Sequence, residues 1–141
     1  METEQNTHEI HVERPQHPVP RRYHEPIFYL ATEMYAVDKI LPVPESRGLD
    51  DIADTLSITD YRNKRWFRDL DDDLACSKID SEVAKRGALV VLSYVLKRDT
   101  NGTEKARNFF SRIRRLLETE PVAMPADLDE HWRLVKEYLS N

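Results

Sequence analysis

Ala88-Leu89-Val90-Val91-Leu92-Ser93-Tyr94-Val95-Leu96-Lys97-Arg98-Asp99 is apolar around most of its circumference before three charged residues close it. A helix of that kind belongs at the centre of a bundle. The stretch has a forerunner 61 positions earlier, Ile27-Phe28-Tyr29-Leu30-Ala31-Thr32-Glu33-Met34-Tyr35-Ala36-Val37-Asp38, which also ends on Asp. After the first copy come Glu45, Leu49, Ile52, Ala53 and Leu56. After the second come Phe110, Ile113, Arg114 and Leu117, so that Asp38, Leu49, Ile52 and Leu56 each meet a counterpart at the same offset. Equal apolar spacing on two helix pairs predicts equal packing faces. The expected fold is therefore an all-α, single-domain helical bundle with an internal pseudo-twofold duplication of helix pairs and one Asp at each inter-helix corner.

Working outward, residues 1–24 contain Pro15, Pro18 and Pro20 without sustained periodicity, and they read as a mobile N-terminal arm ahead of a bundle domain over 25–141. Pro26 suits the first turn of a helix over about 26–40, with Ile27, Leu30, Ala31, Met34 and Val37 inward. Leu41-Pro42-Val43-Pro44 ends that helix. A second begins near Pro44 with Leu49, Ile52, Ala53 and Leu56 on one face. One helix is expected over 59–76, capped by Ser57 or Thr59, with Tyr61, Trp66, Phe67, Leu70 and Leu74 as its apolar stripe. Asp80 or Ser81 opens the central helix, and Asn101 or Thr103 opens the next, to about 119. Pro125 starts the last, with Leu128, Trp132, Val135 and Leu139 on one side.

Composition removes several classes of function. The formal net charge of −5 does not suit a general nucleic-acid binder, because phosphate neutralisation needs a basic surface. Cys76 is the single cysteine, so neither a disulfide framework nor a thiolate zinc site can form, and a reducing, cytoplasmic compartment is expected. No apolar run approaches the roughly 20 residues needed to span a bilayer, and the polar, acidic N-terminus lacks the pattern of a secretory signal. Three glycines leave no Gly-rich phosphate loop, and no nucleophile has a base at helical spacing. No catalytic residues are assigned, and Cys76 reads as a core or boundary thiol.

The run Ala36-Val37-Asp38-Lys39-Ile40-Leu41-Pro42-Val43-Pro44-Glu45, with Leu49, Ile52-Ala53 and Leu56-Ser57-Ile58, resembles the signature of the tellurite-resistance TerB-like family. In that family a helix ends in an Ala-Asp-Gly corner, followed by an apolar residue, an acidic residue and a Leu, Ile-Ala, Leu helix. Asp99 with Phe109, Phe110, Ile113 and Leu117 is similar to the family's second corner, and the resemblance covers roughly residues 27–119. Lys39 and Thr100 stand where the family prefers Gly, and Ala106 takes the place equivalent to Glu45, with Glu104 nearby. The resemblance implies a duplicated helical bundle acting as a non-enzymatic interaction or regulatory module in a stress-response or envelope-associated protein assembly. It also implies metal binding through clustered acids.

Asp38, Glu45 and Asp99 are accordingly the candidate metal ligands, because hard carboxylate oxygens suit Ca²⁺ or Mg²⁺. Helix-end Asp residues equally serve as caps, and Glu45 at a helix start is favoured by the macrodipole. Two charged surfaces are candidates for binding a protein partner, a membrane-associated one in an envelope assembly: Arg107, Arg114 and Arg115 on one helix, and Asp71 and Asp72 in the run Asp69 to Asp73. Both also read as solvated faces. His8, His11, His17 and His24 read as a solvated tail. The alternatives to an interaction module are a divalent-cation sensor using Asp38, Glu45 and Asp99, and a small helical subunit that contacts nucleic acid through the Arg107 to Arg115 face.

Overall fold

The computed structural model describes residues 18–37 and 47–140. Asp38 and Glu45 lie outside the described residues, as do His8, His11 and His17. Seven α-helices and no strand occur among the described residues: α1 His24–Val37, α2 Arg47–Leu56, α3 Arg65–Arg68, α4 Asp72–Lys78, α5 Glu82–Asp99, α6 Glu104–Leu117 and α7 Leu128–Leu139. The all-α bundle expected from the sequence is present. None of these helices is long and apolar enough to cross a membrane.

The central helix is α5. Every residue from Ala88 to Val95 is buried, and α1, α2, α6 and α7 all pack against α5. Helix starts follow side-chain chemistry. The Ser81 hydroxyl accepts from Ala84 N–H at 3.2 Å and the Thr103 hydroxyl from Ala106 N–H at 3.4 Å. An Asp127 carboxylate oxygen accepts from Glu130 N–H at 2.9 Å, so α7 starts after Asp127 and not at Pro125. Between α5 and α6 the chain reverses through Asn101 and Gly102, both at positive φ, where Gly102 carries no Cβ penalty.

α1 with α2 and α5 with α6 stand in the four segments expected to form helix pairs. The pairs differ in length, 14 and 10 residues against 18 and 14, and the twofold relation between them stays an expectation.

The single helix expected over 59–76 is broken into three pieces. A 3₁₀ turn, Tyr61–Asn63, precedes α3, and an extended link separates α3 from α4. Three backbone states break it: Asp60 is left-handed at φ 49°, Lys64 is extended at φ −84° and ψ 139°, and Asp71 is extended at φ −131°. Asp71 Oδ1 accepts from Leu74 N–H at 2.7 Å, which starts a new helix with Asp72 and Asp73 in its first turn. The breaks let the aromatic rings leave helical register. Tyr61 sits edge-on to Phe28 at 4.9 Å, and Phe67 reaches Tyr29 at 5.2 Å and Tyr61 at 5.1 Å. Such ring pairs contribute about 1 kcal/mol each beyond their area, enough to override the helical stripe.

Part of the segment expected to be a mobile arm packs on the bundle, at Val19, Tyr23 and His24. Val19 is 0% exposed, its N–H donates to Tyr138 O at 2.7 Å, and Tyr23 is buried with its hydroxyl donating to Asp80 Oδ1 at 2.5 Å. His24, expected in a solvated tail, is buried in the first turn of α1, and burial lowers its pKa. Gly87 makes the Val19 contact possible, because a Cβ there would lie 2.7 Å from Val19 Cγ2 and 3.3 Å from Tyr138 Cδ1. Removing residues 1–20 is thus expected to cost about 2–3 kcal/mol, from one buried valine and one backbone hydrogen bond. Thermal unfolding, with removal of 1–17 as the control, checks this. Equal midpoints for the two truncations would refute it.

Candidate functional site

Asp99 closes α5 and is 4% exposed. Its two oxygens are both engaged: Gly48 N–H donates to Oδ1 at 2.8 Å and Leu49 N–H donates to Oδ2 at 2.9 Å. Those donors are free amides in the first turn of α2, so the last residue of α5 caps a helix that begins about fifty positions earlier in the chain. Gly48 permits the approach, because a Cβ there would sit 3.1 Å and 3.2 Å from the two carboxylate oxygens and 3.2 Å from the Tyr94 ring. Burial pushes the Asp99 carboxyl above the usual carboxylate range, and the two N–H groups pull it back. Of the three candidate metal ligands, Asp99 alone is described, and its lone pairs already face two backbone donors. No group of three or more His, Cys, Asp or Glu side chains comes together with metal-site geometry among the described residues.

Four of the five candidate partner-binding residues have contacts inside the chain. Asp71 caps α4. Asp72 Oδ2 receives Arg112 at 2.6 Å, tying α4 to α6. Arg107 donates to Gly102 O and Arg114 donates to Thr119 O at 3.4 Å, so both fold back on the ends of α6. Arg115 is exposed. The cation that organises this side is Arg112, which also lies over the Phe109 ring at 5.3 Å. Near it, burial and then Asp72 raise the Glu33 carboxyl while Arg112 opposes them. Burial pushes the Cys76 thiol up to about 11, so the thiol stays protonated at neutral pH and is a poor nucleophile.

A different surface carries open space. Tyr61-Arg62-Asn63-Lys64-Arg65-Trp66-Phe67-Arg68 holds four cations and three aromatics without an acid. Tyr61 and Phe67 turn inward, while Arg62, Lys64, Arg65 and Arg68 are exposed and Trp66 is half-buried. Trp66 stands edge-on to Phe67 at 5.8 Å, and through Phe67 and Tyr61 it is braced on buried Phe28. It forms a wall of two grooves. The larger, about 790 Å³, runs between the end of α2 and the start of α1 and is lined by Arg21, Leu56, Ile58, Lys64 and Trp66. The smaller, about 330 Å³, is lined by Arg22, Pro26, Trp66, Leu70, Leu74 and Lys78, with Leu74 40% exposed. Glu25 borders both.

Sequence reading placed Trp66 and Leu74 in a core stripe and missed this face. The signal was present in the acid-free run from Tyr61 to Arg68, which the expectation of one continuous helix hid. Concave surfaces with an apolar element and a few charged groups are where proteins receive ligands, and of these two the smaller has the more apolar wall while the larger is lined mainly by polar groups. Compared with family models, curated proteins and solved structures, the chain returns no match to any of the three.

Proposed function

We propose that this chain is a non-enzymatic interaction module that receives a protein partner on the face around Trp66. The observation that carries this reading is the pair of grooves on either side of a braced, half-buried indole. A Trp held this way offers a large contact area with little side-chain entropy left to lose, which is the character of an interface anchor. The TerB-like resemblance of residues 27–119 supports the same class of function, in a stress-response or envelope-associated assembly, and the single cysteine suits a cytoplasmic setting. The alternative of a cation sensor needs Asp99 as a ligand, and a metal there would compete with the amides of Gly48 and Leu49.

The test is site-specific photo-crosslinking in the cell of origin, with the reactive side chain placed at Lys64 or, for comparison, at Arg115 on the α6 face. Discrete adducts from position 64 and none from position 115 are expected. Adducts from 115 alone would move the partner to the basic face of α6 and refute the Trp66 reading.

A further inference from the structure

We infer that the occupant of the Trp66 face is an acidic peptide segment carrying one large apolar anchor residue, a conclusion that rests on the docking reading above. The chain as a whole is acidic, with a formal net charge of −5, yet this face gathers cations. Arg21 and Lys64 line one groove, and Arg22 and Lys78 line the other. Among the described residues, the acids that line them are Glu25, common to both, and Asp69, which pairs with Arg65 at 3.5 Å. Arg62 and Arg68 add exposed charge on the same outcrop. A local positive surface on a negative protein selects for a negatively charged partner and speeds its encounter.

The apolar part of the face sets the second requirement. Pro26, Leu70 and Leu74 form a pocket against the indole in the smaller groove, and Leu56 and Ile58 do so in the larger. These surfaces gain from one buried aliphatic or aromatic side chain, with flanking carboxylates meeting the rim cations.

Two other anionic partners fit less well. A nucleic acid strand presents a phosphate at each nucleotide and, leaving the grooves along α4, would meet Asp69, Asp71 and Asp73, which are exposed there. An anionic membrane presents a flat, fluid surface, and here the apolar groups lie in concavities on both sides of Trp66 instead of on a raised face.

The experiment is selection of short random displayed peptides on the full chain, followed by titration of labelled synthetic winners against the wild type, the Trp66→Ala variant and an Arg21→Glu/Lys64→Glu double variant. Thermal midpoints of the variants are measured to confirm folding. Both cations are exposed, so the double variant is expected to unfold like the wild type. Enriched peptides should place Asp or Glu around a single Leu, Phe or Trp. Their affinity should fall roughly tenfold in the double variant, fall similarly in Trp66→Ala, and weaken with added salt. Winners that need Trp66 but lack acidic residues would overturn the acidic-partner inference and leave the docking face standing. Winners indifferent to both variants would overturn both. Tighter, charge-dependent binding of single-stranded RNA, of phosphatidylserine vesicles or of a second copy of this chain would also overturn the inference.

Discussion

Replacing Asp99 by alanine is expected to lower the thermal midpoint by roughly 10 °C. The change strips the acceptors from Gly48 N–H and Leu49 N–H, which are buried in the first turn of α2. A buried donor left without a partner costs about 1–3 kcal/mol. Two of them give about 3 kcal/mol, less whatever is recovered by no longer burying a carboxylate, and a chain of this size loses about 3–4 °C per kcal/mol. Asp99→Asn keeps one good acceptor and should lose about half as much. Because the effect arises from backbone capping, it should be the same with chelator and with millimolar Ca²⁺ or Mg²⁺. Thermal unfolding of both variants in each condition decides the matter. A large calcium-dependent stabilisation of the wild type that Asp99→Asn removes would return Asp99 to the cation-sensor reading.

Asp99 shows which kind of information the sequence carried and which it did not. That an acid closes α5 at an inter-helix corner was legible, because Asp at the end of an apolar run is a local signal. A local reading, however, gives such an Asp to the helix that follows it. Here the carboxylate serves α2, and the Thr103 hydroxyl serves α6. Nothing in the spacing of residues 88–99 says which distant helix start will face their end; that depends on how α2 packs across α5. The central helix itself was readable because continuous burial from Ala88 to Val95 needs continuous apolar sequence.

The segment over 59–76 failed for the opposite reason. Its aromatics fall at spacings that suit a helix, but Tyr61 and Phe67 gain more by reaching Phe28 and Tyr29 than by holding one register. The cluster Asp71-Asp72-Asp73 is the available hint of a helix start, and in sequence alone such a run reads equally as a solvated face. Val19 offered still less. One valine between Pro18 and Pro20 carries no periodicity, and its burial depends on Gly87, far along the chain. The break has a structural consequence, because an unbroken helix would have no separate α3 to hold Trp66 between two grooves.

Acid is expected to destabilise the bundle through His131, by up to about 3 kcal/mol between pH 7 and pH 4. His131 on α7 is 0% exposed, and Nε2 lies 3.0 Å from Val90 O, so the neutral ring donates there. Its other nitrogen, Nδ1, is buried without a hydrogen-bond partner among the described residues. Tyr94 packs against the ring at 5.6 Å. Burial, and then the nearby Lys97 ammonium, push the imidazole down to about 4 from its ordinary 6.5, with the Val90 carbonyl opposing. The unfolded chain therefore binds a proton between those two values that the folded chain refuses. Stability from the neutral ring is present above about pH 6.5 and is lost progressively as pH falls toward 4. Each unit of difference corresponds to about 1.4 kcal/mol, which sets the upper figure. Acid acts on other groups of the chain too, so the measurement is the difference between the wild type and His131→Gln, whose amide can still donate to Val90 O. Urea unfolding across that range should show the wild type losing stability more steeply than the variant. Parallel profiles would mean that the α5–α7 interface accepts the imidazolium without strain, and His131 would then be a packing residue with no control over the pH response.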